Sequence, residues 1–559
     1  MRFPVRGILI LFVLASCQSP AAPPKDRDGE AVRAFRIGTN LKELRDWGRE
    51  LPFVDLMHNA RVWFSQDVGN PSAAWNSEAA DLLAYRPDGY PTEVPQTVAG
   101  QAYPQKVVTI WADVSGWPEG TYTVLFDGTG SLSVGGSVAQ VTRTGAHRMT
   151  FVLNRTWSPP SVQLAIDSSE AADPVRAIRV LMPGTEATSS TQPFNPAWLD
   201  KVRKFASVRF MDWGDTNSWG WALYPKRPAG APFRWEDRQR MDAYTWTDGR
   251  GVPYEMMVRL MNDQGLDGWV CVPDRADEGF VQAMAALFHD GLDPRRKLTV
   301  EYSNEIWNSM MGQSAFLTQF GHPSAQALAN HRDHPQNYPW DPATTWPEKL
   351  TGNIQDCLDT WTSVWGVDLP RLTRVVGLQT GWPDVSRRIA FNLRPGSYDA
   401  VAPSCYFGLG PEFDATLDAL GASATLADVA RMTRESWDKY DKPWLREIRS
   451  TVAVPLGVPM VFYEGGQGLT PTPFGQEPTY AQALVDIQRA PVIEDLYREW
   501  FQFLLTLRTG DQPLSVMHFS LVGGRSAAYG SWGTWEFVDQ DTTQIPAPKA
   551  DALREIMTW

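Results

Sequence analysis

Cysteine is scarce in this chain: four in 559 residues, at Cys17, Cys271, Cys357 and Cys405. The last three are far apart, which excludes both a disulfide framework and a cysteine zinc motif. Cys271 and Cys405 sit in apolar, strand-like runs and read as buried thiols. Histidine is also thin, at seven, and scattered. His331 and His334 are three apart, but Pro335 and polar neighbours make a loop there rather than a metal site. No metal and no cofactor is expected. Basic charge is in deficit, and a formal net charge of -13 argues against a nucleic-acid partner, which needs a basic footprint. The apolar run GILILFVLA, residues 7–15, is too short to span a bilayer as a helix.

That run has another use. Arg2 and Arg6 precede it and LASC, residues 14–17, closes it, the order of a targeting segment. LASC resembles a bacterial lipobox, which implies cleavage and lipidation at Cys17. By the same resemblance, Gln18 in place of Asp implies the outer membrane of a Gram-negative cell. Residues 18–34 are rich in Pro, Ala and charge and read as a tether. A membrane anchor and a cell-envelope location are therefore expected; the alternative is a plain secretory signal with an incidental cysteine.

Tryptophan is abundant, at 25. Its broad apolar face and single N–H donor suit stacking under a sugar ring, although most copies serve as core. The length favours at least two domains. From about residue 100 to 183, runs such as KVVTIWADV, TYTVLF, HRMTFVLN and VQLAI are separated by turn chemistry and predict an antiparallel β-sandwich. After residue 194 the rhythm changes. NPAWLDKVRKFA places Pro at a helix start with Leu199, Val202 and Phe205 on one side. Seven buried-type strand runs then alternate with helices: SVRFMDW, DGWVCVP, KLTVEYS, TRVVGLQ, YDAVAPSCYF, PMVFYEG and LSVMHFSLV. With FRIGTN, residues 35–40, these make eight, the count of an α/β (β/α)8 TIM barrel; an open doubly wound sheet would alternate similarly. The expected division is a signal segment over 1–17, the tether over 18–34, the first barrel strand within 35–74, the inserted sandwich over 75–190 and the rest of the barrel over 191–559. Long Trp-rich loops at 214–250 and 309–350 are expected to wall a cleft.

Chemistry in a barrel sits at the C-terminal ends of the strands. KLTVEYS ends in Asn304 and Glu305, and PMVFYE ends in Glu464 before Gly465 and Gly466. These are strands four and seven, roughly opposite each other, so the two carboxylates converge over the mouth. Such a pair suits glycoside hydrolysis, one group protonated and the other charged, about 5 Å apart for a retaining enzyme. Trp307 would dry Glu305 and keep it protonated, while Glu464 would stay charged. Glu301, inside the strand, reads as structural support paired with an arginine. Asp212 and Trp213 are candidate cleft residues, and Asn40 a candidate far-subsite contact.

NEIW and YEGG resemble the acid/base and nucleophile motifs of clan A glycoside hydrolases, the (β/α)8 retaining enzymes that include family 5. The resemblance implies Glu305 as acid/base, Glu464 as nucleophile and Asn304 on the sugar 2-hydroxyl. It further implies Tyr406 as a hydrogen-bond donor to the nucleophile and Arg209 beneath it; as a plain reading of residues, Arg209 equally suits a buried ion pair. The phrases EYSNEIWN, DPVRAIRVLMPG and YEGGQ also resemble secreted bacterial proteins described as cellulose-binding. The chain departs from family 5 in having no histidine in VPDRAD or APSCYF and no tryptophan in MHFSLV. Trp532 and Trp535 follow shortly after, and with His518 they divide between sugar contact and core. The function expected is a retaining glycoside hydrolase acting on a carbohydrate substrate, with a catalytically inactive carbohydrate-binding lipoprotein as the alternative.

Overall fold

The computed structural model describes residues 33–156, 158–220, 227–228 and 230–559. The expected signal segment, Cys17 and nearly all of the tether lie outside the described residues. No helix among the described residues is long and apolar enough to cross a membrane.

The barrel strands are β1 (Phe35–Asn40), β2 (Ser207–Arg209), β3 (Asp267–Val272), β4 (Leu298–Tyr302), β5 (Leu372–Leu378), β6 (Ala400–Pro403 and Cys405–Gly408), β7 (Phe462–Gly468) and β8 (Leu514–His518). All neighbours pair in parallel, in the order 1 to 8, with β1 between β8 and β2. The sheet contains nine strand segments rather than eight because β6 is broken at Ser404. Its first segment pairs with β5 and its second with β7. Val401 also bridges to Met460, just before β7, so the sheet is nearly closed as a barrel. The sequential order with β8 beside β1 is that of an α/β barrel and not of a doubly wound sheet, whose strand order reverses at a switch point.

The strands form where apolar residues run almost without interruption, the pattern of a sheet covered by side chains on one face and helices on the other. In β3, Gly268–Val272 are all buried. The helices carry their own signals. Asn195 accepts a hydrogen bond from the Ala197 N–H at 3.0 Å, Pro196 opens the helix Pro196–Val202, and Trp198, Leu199 and Val202 are buried.

Between β1 and β2 the chain forms two four-stranded antiparallel sheets. One contains Phe64–Asp67, Gln105–Trp111, Val162–Ser169 and Gly130–Gly136; the other contains Val138–Gly145, Arg148–Leu153, Thr121–Asp127 and Arg176–Leu181. Aromatic contacts link them: Trp111 meets Trp117 at 5.6 Å, Trp117 meets Tyr122 at 5.3 Å, and Tyr122 stacks on Phe151 at 5.2 Å. Phe64–Asp67 precedes residue 75, so the sheet-forming region starts earlier than its turn chemistry suggests. Cys271, Cys357 and Cys405 are buried free thiols.

The long loops do line a cavity, through Asp215, Asn217, Ser218 and Met311, but their tryptophans do not supply its walls. Trp219 and Trp246 are buried, as is Trp213 just before the first loop. Trp213 stacks between Trp198 and Phe53, and Trp246 packs edge-on against Phe53. A loop this long needs its own apolar core, and tryptophan supplies the most area per residue. The 309–350 segment contains two helices, Gly312–Phe320 and Ala325–Asp333.

Candidate active site

Arg209, the last residue of β2, is fully buried at the barrel mouth and organises its floor. One terminal nitrogen donates to Glu464 Oε1 at 2.7 Å and to Asn40 Oδ1 at 3.1 Å. The other donates to Glu301 Oε2 at 2.8 Å and to Asn304 Oδ1 at 2.9 Å. Side chains from the ends of β1, β2, β4 and β7 are thereby tied to one guanidinium. Its planar fork offers several donors in fixed directions, which lysine would not provide. Burial opposes its charge, and Cys271, Glu301 and Glu464 around it more than offset that penalty. Glu301 is the expected support: it also accepts from Trp269 Nε1 at 3.0 Å. Asn40 lies in this buried floor and donates to the Tyr463 and His518 carbonyls, so it is not a far-subsite residue.

Glu464 Oε2 accepts from the Tyr406 hydroxyl at 2.9 Å. Burial pushes its carboxyl up to about 7; Arg209 pulls the other way, and Glu305 and Asp212 add to the rise. The expectation that Glu464 stays charged with ease is thus corrected. Its carboxyl must share Arg209 with Glu301 in a dry site.

Glu305 Oε1 accepts from the Tyr463 hydroxyl at 2.7 Å and Oε2 from Asn308 Nδ2 at 2.8 Å. Ser303 and Glu305 both have left-handed backbone, at φ 55° and 44°. Each such residue without a glycine costs on the order of 1 kcal/mol or more, and such outliers cluster at functional sites. Here the two turns bracket Asn304, holding it toward Arg209 while Glu305 reaches the cavity. Asn304 Nδ2 donates to Asn217 Oδ1 at 2.9 Å, and Gln313 donates to the same oxygen at 2.8 Å.

Glu305, Glu464 and Asn304 line one cavity of 320 Å³, together with Lys42, Asp212 and Phe519. Asp212 is a cleft residue as expected; its neighbour Trp213 is core. Burial pushes the Asp212 carboxyl up to about 6, opposed by Lys42 at 3.0 Å. Lys42 is held up at about 12: burial lowers it, and Asp212 and Glu43 raise it further.

The tryptophans divide. Trp532 lines an adjoining cavity and sets its ring edge-on to Tyr406 at 5.5 Å. Trp307 is buried behind Tyr463, with ring centroids 6.5 Å apart, so it backs the tyrosine that holds Glu305. Trp535 is buried against Phe205 and Lys201, outside the cavities at the mouth. His518 is core: it sits between the Tyr497 and Thr534 hydroxyls at 2.8 and 3.0 Å, and burial pushes it down to about 3.

Tyr463, Lys42, Glu43 and Arg45 are site residues that sequence reasoning did not find. Strand alternation sends Tyr463 away from the side taken by Glu464. A register shift in β7, where the two residues between Phe462 and Gly465 face the single residue between Val516 and His518, lets both reach the mouth. Lys42, Glu43 and Arg45 follow β1 directly, where the strand-end rule had a signal to offer.

The sequence matches no known protein-family model and no curated protein. Among solved structures it is similar to a GH5-4 broad specificity endoglucanase from Bacteroides salanitronis, with 12% identity over 65% of this chain and 85% of that one, at a TM-score of 0.33. It is similar to the GH51 arabinofuranosidase from Xanthomonas axonopodis pv. citri, with 13% identity over 59% and 61% and a TM-score of 0.27. It is also similar to the Ignisphaera aggregans GH53 catalytic domain, with 11% identity over 65% and 97% and a TM-score of 0.26.

Proposed function

We propose that the protein is a retaining glycoside hydrolase. The supporting observation is the placement of Glu305 and Glu464 in one cavity at the barrel mouth, each held by its own tyrosine. In the first step the ionised Glu464 attacks the anomeric carbon while Glu305 gives its proton to the departing glycosidic oxygen. The carbon–oxygen bond breaks and a glycosyl ester with Glu464 forms. In the second step Glu305, now charged, takes a proton from water. The water oxygen attacks the same carbon and Glu464 is released. Tyr463 steadies the charge that Glu305 gains, Arg209 and Tyr406 orient Glu464, and Asn304 faces the sugar. The retaining route requires the carboxyls about 5 Å apart.

The test is product analysis from an oligosaccharide library with the anomeric configuration followed by NMR. Retained configuration is expected; inverted products, or no hydrolysis alongside tight binding of one polymer, would sink the reading. Lipidation at Cys17 and a place at the cell envelope belong to the same proposal and rest on the LASC sequence. Mass spectrometry of the mature N-terminus checks them, with a diacylglyceryl cysteine as the expected first residue.

A further inference from the structure

The carboxylate cavity does not end at Glu464. It shares Lys42, Glu43 and Arg45 with a neighbouring cavity of 440 Å³, which reaches the loop after β8 at Gly524, Arg525 and Tyr529. That cavity in turn shares Arg49 with a third, of 550 Å³, lined by Ser115, Gly116, Trp117, Glu119 and Arg155 from the inserted sheets and by Phe537 and Asp539. Each lies in the size range of small-molecule sites. Together they form a groove leading from the proposed catalytic pair to the inserted sheets.

The middle of this groove gathers four cationic side chains in a chain that is acidic overall. Lys42, Arg45, Arg49 and Arg525 line it, against Glu43 and Asp113. Glu50 also lines it; burial pushes its carboxyl up to about 8, opposed by hydrogen bonds from the Lys42 N–H and the Trp198 indole. Lys42, Arg45 and Arg525 are tied to Asp212, Asp215 and Glu536 at 3.0, 3.2 and 3.2 Å. Arg49 is different. Among the described residues its single hydrogen bond is a long one, 3.3 Å to Asp113, and its side chain is 40% exposed. It runs between two glycines. A Cβ at Gly116 would lie 3.7 Å from its stem, and one at Gly524 would lie 3.0 Å from its guanidinium. The fork is therefore threaded through a gap between the inserted unit and the β8 loop, with donors to spare at the junction of two cavities. Trp47 and Tyr529, both exposed, line the same cavity and offer aromatic faces to a sugar ring.

We propose that this groove is a distal subsite for a carboxylate-bearing sugar, a uronic acid residue of the substrate chain, with Arg49 as its anchor. The substrate class follows from the guanidinium, whose planar fork matches a carboxylate. The inserted unit then has a role in binding, because its loops supply one wall of the groove and Asp113, the partner that positions Arg49. The proposal rests on the glycosidase reading for its direction along the substrate but is tested by binding alone.

The test uses the Glu464→Gln variant of the full chain and calorimetry with uncleaved tetrasaccharides. The probes are oligogalacturonate, oligomannuronate and glucuronic-acid-substituted xylotetraose, each beside its carboxyl-reduced counterpart. The expected result is that at least one acidic probe binds about tenfold more tightly than its reduced form, an advantage that shrinks with added salt and is lost in the Arg49→Gln double variant. A Gly524→Ala double variant, which crowds the guanidinium, should weaken the same probe while leaving its reduced form unchanged. A sulfated oligomer binding in preference to every uronate would overturn the carboxylate assignment. So would equal binding of acidic and reduced forms, no binding of any acidic probe, or an unchanged acidic preference in Arg49→Gln. Acidic binding without hydrolysis by the wild type would instead remove the glycosidase reading and leave the subsite standing.

Discussion

The ends of β4 and β7 both present a glutamate to the barrel mouth, by different backbone devices. At β4 the chain turns through two left-handed residues, Ser303 and Glu305, beyond the last paired residue. At β7 the strand continues, and an extra residue in its register with β8 brings Tyr463 and Glu464 to the mouth together. The first device frees Glu305 from the sheet, where it takes neutral donors, Tyr463 and Asn308. The second leaves Glu464 inside the sheet, where it shares a buried cation with Glu301. A carboxylate beyond the strand is set by its turn; one within the strand is set by the charges underneath.

The largest test of this contrast is removal of each carboxylate. Glu464→Gln should reduce kcat at least about 10⁴-fold on every substrate, because the proposed nucleophile has no substitute. Glu305→Gln should lose about 10²–10⁴-fold, the range for general acid–base groups, and less on aryl glycosides with good leaving groups. Equal losses on all substrates would erase the distinction. Folding gives Glu464 a second signature. Its carboxyl rises from 4.5 to about 7 on folding, so the folded state holds the proton more tightly than the unfolded one. Its contribution to stability is full below about 4.5 and declines as pH rises through about 7. Urea titrations across that window should show a decline that Glu464→Gln lacks.

Tyr463→Phe should cost about 10-fold or more in kcat by removing one hydrogen bond to Glu305, with little change in KM. The opposite split would mean that the tyrosine serves binding.

Next comes pH dependence. On the proposed mechanism Glu464 must be ionised to attack, so kcat/KM should rise with pH through about 7. Arg209, Tyr406, Glu305, Asp212 and Lys42 all act on this carboxyl. Glu301→Gln leaves Arg209 more fully to Glu464, so the limb should move to lower pH; an unmoved limb would show that Glu301 is packing only. The smallest effect is expected at Ser303. Glycine relieves left-handed strain, so Ser303→Gly should stabilise by about 1 kcal/mol, read as a higher midpoint in urea, with kcat nearly unchanged.

Much of this site is legible along the chain. Eight apolar runs name the barrel strands, and Arg209, Asn304, Glu305, Tyr406 and Glu464 stand at or near their ends, where the structure gathers them. Glu301 as an arginine partner is legible for the same reason. Tyr463 is hidden because alternation is a rule for regular strands, and a bulge leaves no mark in YEGG. Trp307, Trp532 and Trp535 look alike in sequence, yet one backs Tyr463, one walls the groove and one is buried beside Phe205. The same apolar face satisfies each of these places, so residue type alone cannot separate them.

What the sequence determined by itself is the order of the buried strands and the kinds of side chain at their ends. Burial pattern is a local property, and each run carries its own. Tertiary structure decided the rest: that one arginine serves two carboxylates, that a bulge turns a tyrosine inward, and that the inserted unit brings Asp113 to a cavity adjoining the one at Glu464. Each of those depends on residues tens to hundreds of positions apart being brought within hydrogen-bonding or van der Waals reach, which only assembly of the barrel accomplishes.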